Sequence, residues 1–433
     1  MKERVLLVKI DKNFGGPQRL SFSEPIGICY ISSFLQENGI ECQLLHVIQD
    51  NARYEISESI KSFEPTMVGF SVRNFNFNIT CACIEDVRSH LPHVAVCIGG
   101  ECVTWENASS LAKASNADVA LVSDGEKSLL AYLSGKNPAS IPGIAYRSSS
   151  GQFVSSAIAP ERVDPSILPM MDRDGLPMKS YSSEAFLGKK YATMHVQRGC
   201  RYRCTFCHSG CRYDGPASRK NTQIIEEIDF LSDKYQIEAL AIFDEDFFSD
   251  FSRVQSIAES LIDRGSPVEW HTFMKLTDLQ NQNIKKLLPL LRRSGYQRAI
   301  IGLESFIPKS LKHYHKVSGA NSVESNLQYL SEHGIKVCPT YIIGQPDETE
   351  KEVEYGLEHL LMLRDRGIDI DLPYITFLTP FPGTVLFEEY LRKELIIDDN
   401  WDHYDTEHVV VKSKCAPDRL VELRDDFYRD FYI

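Results

Sequence analysis

Three thiols, Cys200, Cys204 and Cys207, stand in the run QRGCRYRCTFCHSG, separated by three residues and then by two. Thiolates at that spacing on one loop can hold three corners of a [4Fe–4S] cube and leave the fourth iron open. An open iron takes a small chelating ligand, and Phe206, just before the last thiol, gives that ligand an aromatic neighbour. A second chemistry is open to the same loop. With Cys211 it carries four thiols, enough to close a tetrahedral zinc site, and His208 is a spare ligand. Structural zinc sites usually come as two separated pairs of ligands, which favours the cluster.

The elements around this loop fall into two series. Residues 1–135 alternate short apolar runs (RVLLVKI, ECQLLHV, TMVGFSV, VAVCIGG, DVALVSDGE) with helical patterns such as Pro25 to Gln36 and Ile79 to Leu91. Strands spaced by helices mean right-handed βαβ units and a parallel sheet. Five strands predict a flavodoxin-like doubly wound α/β domain with ligands at the carboxyl ends of its strands. Residues 136–190, rich in Ser, Pro and Gly, read as a linker. The βα rhythm restarts at YATMHVQ and continues through ALAIFDE, VEWHTFM, RAIIGLE, KVCPTYIIG and PYITFLTP. That predicts a partial (β/α)6 TIM barrel over 191–390, with its function on the loops after the strands. The aromatic tail, 391–433, is expected to cap the barrel mouth.

Composition narrows the function classes. The 433-residue chain has 47 basic and 60 acidic side chains, a net charge of −13. That disfavours attraction to nucleic acid or to an anionic membrane. No apolar run is long enough to span a bilayer, and the N-terminus lacks a signal-peptide layout. Twelve cysteines without an export signal point to a reducing cytoplasm. Between Lys189 and Lys220 eight basic residues face one acid, Asp214. Such a patch suits an acidic electron donor such as flavodoxin, an anionic group on a substrate, or simply a solvated loop.

From about residue 3 to residue 410 the chain resembles the cobalamin-binding-domain class of radical S-adenosylmethionine (SAM) enzymes. That class includes the anaerobic magnesium-protoporphyrin ester cyclase and many methylases of unactivated carbon. The resemblance rests on the cysteine loop, on RAIIGLES and YIIGQPDETEKE, and on PIGICYISSFLQENG, VGFSVRNFNFN, CIGGECVT and SDGEKSL in the first domain. It implies a [4Fe–4S] cluster on Cys200, Cys204 and Cys207, with SAM chelating the open iron beside Phe206. It also implies SAM contacts from Asp244 and Glu245 in IFDEDFFSD, from Glu304 and Ser305, and from Tyr341 and Gly344. Three acids together are also a common strand-to-helix junction. Lys275 stands where relatives usually have an arginine, keeping the charge but losing the planar fork that grips a carboxylate. His271 is expected to pack or to point into the barrel.

For cobalamin the resemblance implies the strand ends near Ser71, Arg73 and Asn74, and the turn Gly99, Gly100, Glu101 to Thr104. Paired glycines there would let a flat ligand approach the backbone. Asn13 occupies the axial-histidine position of the D-x-H-x-x-G motif, so a corrin would bind without a protein imidazole. Cys211 and Thr379 are candidates to face the substrate, with packing the alternative for Cys211. The class implies a small-molecule substrate and, most often, cobalamin-dependent C-methylation. Cyclisation, ring contraction, oxidation or sulfur insertion is the second reading, and a non-catalytic metal-binding protein a third.

Overall fold

The computed structural model describes residues 3–12, 23–265, 268–316 and 322–433, apart from the side chains of residues 184 and 211. The chain divides into two compact units, one ending at Ser180 and the other running from Tyr181 to Ile433.

The first unit is built on a seven-stranded sheet. Its strands are β1 (Arg4–Asp11), β2 (Glu41–Ile48), β3 (Met67–Ser71), β4 (Ala95–Gly99), β5 (Val119–Leu121), β6 (Ile144–Arg147) and β7 (Phe153–Ser155). They lie in the order β2-β1-β3-β4-β5-β6-β7. The first five are parallel, and β6 and β7 add antiparallel edges. Val5, Leu6, Leu7 and Val8 are all buried, as expected of a parallel strand covered on both faces. The helix Ala52–Phe63 shows the complementary period, burying Ile56, Ile60 and Phe63 on one stripe. Sequence order across β2, β1 and β3 reverses at β1, the switch point where doubly wound sheets bind ligands.

The segment expected to be a linker therefore supplies two further strands. Ile144 and Ala145 of β6 are fully covered, and the run RSSSGQ is the turn of a hairpin rather than a tether.

The second unit carries β8 (Tyr191–Met194), β9 (Gln197–Arg198), β10 (Ala217–Ser218), β11 (Ala239–Ile242), β12 (Glu269–Met274), β13 (Tyr296–Glu304), β14 (Lys336–Ile343) and β15 (Tyr374–Phe377). Strands β8, β11, β12, β13, β14 and β15 lie side by side in chain order, all parallel, in the topology of a partial barrel. The short pair β9–β10 is a ribbon that carries the cysteine loop away from β8.

The tail divides between the mouth of the barrel and its flank. Helix Pro417–Tyr432 packs along helix Glu350–Asp365, and the Tyr428 hydroxyl accepts from Ile375 N (3.0 Å) and donates to Pro373 O (3.3 Å). It covers the edge strand β15, whose unpaired backbone would otherwise face water. Upstream of that helix the tail does reach the barrel mouth: Thr406 lines the cavity and its carbonyl accepts from Phe377 N, while Leu395, Trp401, Tyr404 and Val410 pack in one cluster with Phe206 and Phe381.

Candidate active site

The cysteine loop follows β8 at the carboxyl end of the sheet and is fastened from several sides. Gly199 N donates to Glu245 Oε2 (3.1 Å), and Cys207 N donates to Cys204 O (3.1 Å). Thr205, between the second and third thiols, donates through N to Tyr314 O (3.0 Å) and through Oγ1 to His313 O (3.1 Å). Its carbonyl accepts from Leu386 N (2.9 Å). Cys200, Cys204 and Cys207 all line one cavity of about 430 Å³. Most of its remaining wall is apolar, including Phe273, Leu303, Ile342, Phe377 and Phe381. Burial pushes the Cys204 thiol up to about 11, with Lys316 pulling the other way, and raises Cys200 and Cys207 as well. These are protonated thiols that metal binding would discharge.

Most residues expected around SAM meet at this cavity. Phe206, Glu245, Lys275, Glu304, Ser305 and Thr379 all line it, and Phe206 stands edge-on to Tyr314 at 5.3 Å. Glu245 holds the loop with one oxygen and accepts from Ser209 Oγ (3.3 Å) with the other. Glu304 follows an irregularity in the β13–β14 pairing and sits at φ +64°, a region non-glycine residues seldom occupy. Its two oxygens accept from Lys316 Nζ (2.8 Å) and Thr340 Oγ1 (3.0 Å). Ser305 Oγ accepts from Ile307 N (3.0 Å) at the start of the next helix.

Three expected contacts are placed elsewhere. Tyr341 has the wrong parity: on β14, Thr340 and Ile342 line the cavity, so Tyr341 points to the helices. Its ring fills the space left by Gly356, and its hydroxyl accepts from Phe306 N (3.2 Å). Asp244 is fully buried behind the loop, with Oδ1 accepting from Val196 N (2.7 Å) and Gln197 N (3.1 Å). Gly344, at φ +89°, donates to Glu348 Oε2 (2.8 Å) and serves the turn after β14.

Lys275 reaches the cavity but is tied down, donating to Asp246 Oδ1 (2.6 Å) and to the Glu245 carbonyl (3.0 Å). His271 packs, stacked on Phe186 at 4.8 Å, and burial lowers it to about 3, so it stays neutral. The basic run is largely spent internally: Lys189 pairs with Glu269, Arg201 with Asp246 and Asp278, Arg203 with Asp214, and Arg219 with Glu227. Sequence reasoning missed Lys316, Thr340 and Ser209, which lie between motifs or on the wrong side of one.

Burial raises the Asp244 carboxyl to about 7, against the pull of Arg253. A folded-state value above the unfolded one favours the native protein fully below about pH 4, and that contribution fades as pH rises through about 7. Asp244→Asn is therefore expected to flatten the fall in melting temperature between pH 5 and pH 8. A thermal melt series that keeps the wild-type slope would refute the assignment.

In the first unit, Ser71 and Gly99 end neighbouring strands β3 and β4. The reason for Gly100 is internal: at φ +132°, a Cβ there would lie 2.3 Å from Val72 O. Close approach of backbone to backbone is by itself enough to require glycine there. Arg73 and Glu101 form an exposed ion pair (3.2 Å), and Thr104 N donates to Asn107 Oδ1 (2.8 Å). Asn74 is buried with Nδ2 unpaired, whereas Asn76 is spent on Ile10 O (2.6 Å). Lys9, Asp11 and His46 add a buried polar group at the ends of β1 and β2, with Asp11 bonded to His46 Nε2 at 2.8 Å. The orphaned Asn74 donor and the polar strand ends at the switch point fit a large amide-rimmed ligand. Asn13 lies outside the described residues.

For the cluster, the donor set fits equally well: three thiols of one loop on one cavity, beside carboxylates and a lysine. Among the described residues no group of three or more His, Cys, Asp or Glu is placed to hold a metal ion as it stands. The side chain of Cys211, the loop's fourth thiol, lies outside the described residues. Among the described residues, too, no helix is long and apolar enough to cross a membrane.

Residues 194–360 match the Radical SAM superfamily and residues 19–133 the B12 binding domain. An uncharacterized methyltransferase of Pyrococcus horikoshii is 25% identical over 417 residues, covering 94% of this chain and 88% of that one. The anaerobic magnesium-protoporphyrin IX monomethyl ester cyclase of Rubrivivax gelatinosus is 23% identical, covering 91% and 71%. In fold, the chain is similar to the radical SAM methyltransferase TsrM of Kitasatospora setae (TM-score 0.74, 16% identity, 100% of this chain and 89% of that one). It is also similar to the cobalamin-dependent radical enzyme OxsB (TM-score 0.77, 16% identity, 95% and 64%). Loop, cavity, sheet order and both domain matches converge: the chain is a radical SAM enzyme with an N-terminal B12-binding domain, working with a [4Fe–4S] cluster, SAM and cobalamin.

Proposed function

We propose that the chain is a C-methyltransferase acting on a small, largely apolar molecule. The observation that carries the reading is the cavity itself, where three thiols, Glu245 and the Glu304–Lys316 pair share a mostly apolar wall at the carboxyl end of the strands. Held by Cys200, Cys204 and Cys207, a reduced [4Fe–4S] cluster would supply the electron that cleaves SAM, and a corrinoid at the strand ends of the first unit would serve as methyl carrier. The chain's own residues do the rest. Glu245 and Ser209 hold the shape of the cysteine loop, Thr340 fixes Glu304, whose oxygens keep acceptor capacity for a polar ligand, and Leu303, Phe377 and Leu378 exclude water. Enclosure by such side chains protects a reactive intermediate from solvent.

The full-length similarity to a protein named as a methyltransferase supports methyl transfer over other outcomes. The cyclase relatives favour a second reading, in which the same radical cyclises or oxidises its substrate. Delivery of the electron by an acidic donor such as flavodoxin is part of the proposal, although the paired state of the basic run leaves a smaller cationic surface than the sequence implied.

The deciding experiment is anaerobic reconstitution with iron, sulfide and hydroxocobalamin, followed by product analysis after reduction with SAM and a candidate substrate. Methyl transfer through both cofactors is expected to yield S-adenosylhomocysteine and 5′-deoxyadenosine together. 5′-Deoxyadenosine alone, with near one corrinoid bound per chain, would replace methyl transfer with cyclisation or oxidation.

A further inference from the structure

Two lysines reach the cavity, and they are held differently. Lys275 is committed to Asp246 and the Glu245 carbonyl. Among the described residues, Lys316 Nζ donates to Glu304 Oε1 (2.8 Å) on the cavity wall, while Thr340 holds the other carboxylate oxygen. The pair fills space that only a glycine leaves open. A Cβ on Gly302 would lie 2.7 Å from Lys316 Nζ and 2.8 Å from Glu304 Oε1. Glu304 meanwhile adopts its left-handed backbone. A missing side chain and an unfavourable backbone conformation thus both serve one ion pair. Buried ion pairs seldom repay such costs in stability, because desolvation offsets their attraction.

What the pair does provide is a fixed dipole on the cavity wall, in which the ammonium of Lys316 outweighs the carboxylate of Glu304 at Cys204. Thr205 is bonded to the carbonyls of His313 and Tyr314, which ties the stretch leading to Lys316 to the loop between Cys204 and Cys207. Lys316 lines the same cavity as Cys200, Cys204 and Cys207. Cluster potentials respond to the net charge and hydrogen bonding around the sulfurs, most strongly where solvent is excluded.

We propose that Lys316, locked by Glu304 and Thr340 over Gly302, is a positioning residue that raises the reduction potential of the cluster held by Cys200, Cys204 and Cys207. When one electron enters from a low-potential donor, the added negative charge is stabilised by the ammonium. The electron is then available from a weaker reductant than the bare thiolate loop would need. This inference rests on the cluster reading above and adds to it a residue and a measurable property.

The test is a mediated redox titration, followed by electron paramagnetic resonance, of the full reconstituted chain and of Lys316→Met, Lys316→Gln and Lys316→Arg. The two neutral variants are expected to titrate at more negative potential than the wild type, and the arginine variant to return close to it. Lys316→Gln keeps a donor for Glu304 and decides the matter if Lys316→Met does not hold its cluster. Iron content and circular dichroism separate a shifted potential from a misfolded chain. Neutral variants at the wild-type potential would overturn the inference, as would loss of the cluster from both, which would make Lys316 a structural prop. A wild-type chain that takes up no iron and sulfide would overturn the cluster reading itself.

Discussion

Replacing Cys204 with alanine is expected to give a folded protein that lacks the brown absorbance of the cluster and no longer cleaves SAM. The thiol is one of three cluster corners, and a cube held by two protein ligands is lost to solvent and chelators. Its removal does little to the fold. Cys204 is only half-buried at the cavity wall, and the loop's fastenings run through Thr205, Gly199 and Cys207 backbone atoms instead. Iron content and cluster absorbance after anaerobic reconstitution with iron and sulfide alone should fall to background while the melting temperature stays within about 2 °C of wild type, as surface-like substitutions usually do. Retention of 5′-deoxyadenosine formation by this variant would mean that the loop does not hold the cluster.

The second large effect is expected in the other unit, at Gly100. An added methyl would meet Val72 O at 2.3 Å and Val72 N at 2.8 Å, both backbone atoms, at a φ of +132°. Neither partner can step aside, because Val72 N is itself hydrogen-bonded to Gly99 O (2.7 Å) across the strand ends. Overpacking and backbone strain together are expected to cost on the order of 3 kcal/mol. Gly100→Ala should therefore lower the melting transition of the first unit by roughly 6–12 °C. Corrinoid retention should fall with it, while iron bound in the second unit stays near its wild-type amount. Unchanged corrinoid binding in a destabilised variant would detach this turn from the cobalamin site.

Sequence and structure agree best where the chemistry is contiguous. The three thiols lie within eight residues, so their spacing carries the site almost unaided, and the six barrel strands announce themselves as apolar runs. The departures have physical causes. In KVCPTYII nearly every side chain is buried, so no alternation marks which residues face the cavity, and a one-residue error turned Tyr341 inward in place of Thr340. Strands β6 and β7 are only four and three residues long and flank a serine-rich turn, so their composition resembles a tether. Lys316 was invisible for another reason. Its meaning depends on Gly302, Glu304 and Thr340, which lie on two strands and meet only after folding. Gly100 carries two readings at once, since a positive φ with a close backbone neighbour leaves the same mark in a sequence as a ligand.

The three anchors of Thr205 also bear on how the protein is made. Its partners His313, Tyr314 and Leu386 emerge from the ribosome long after the cysteines do. Until they arrive, the stretch between the second and third thiols has no fixed path, and contacts this distant in sequence form late. Iron delivered to a nascent chain would meet three mobile thiols and no seat. Maturation must wait for nearly the whole chain, so truncations before Leu386 should accumulate as apoprotein however much iron and sulfide the cell provides.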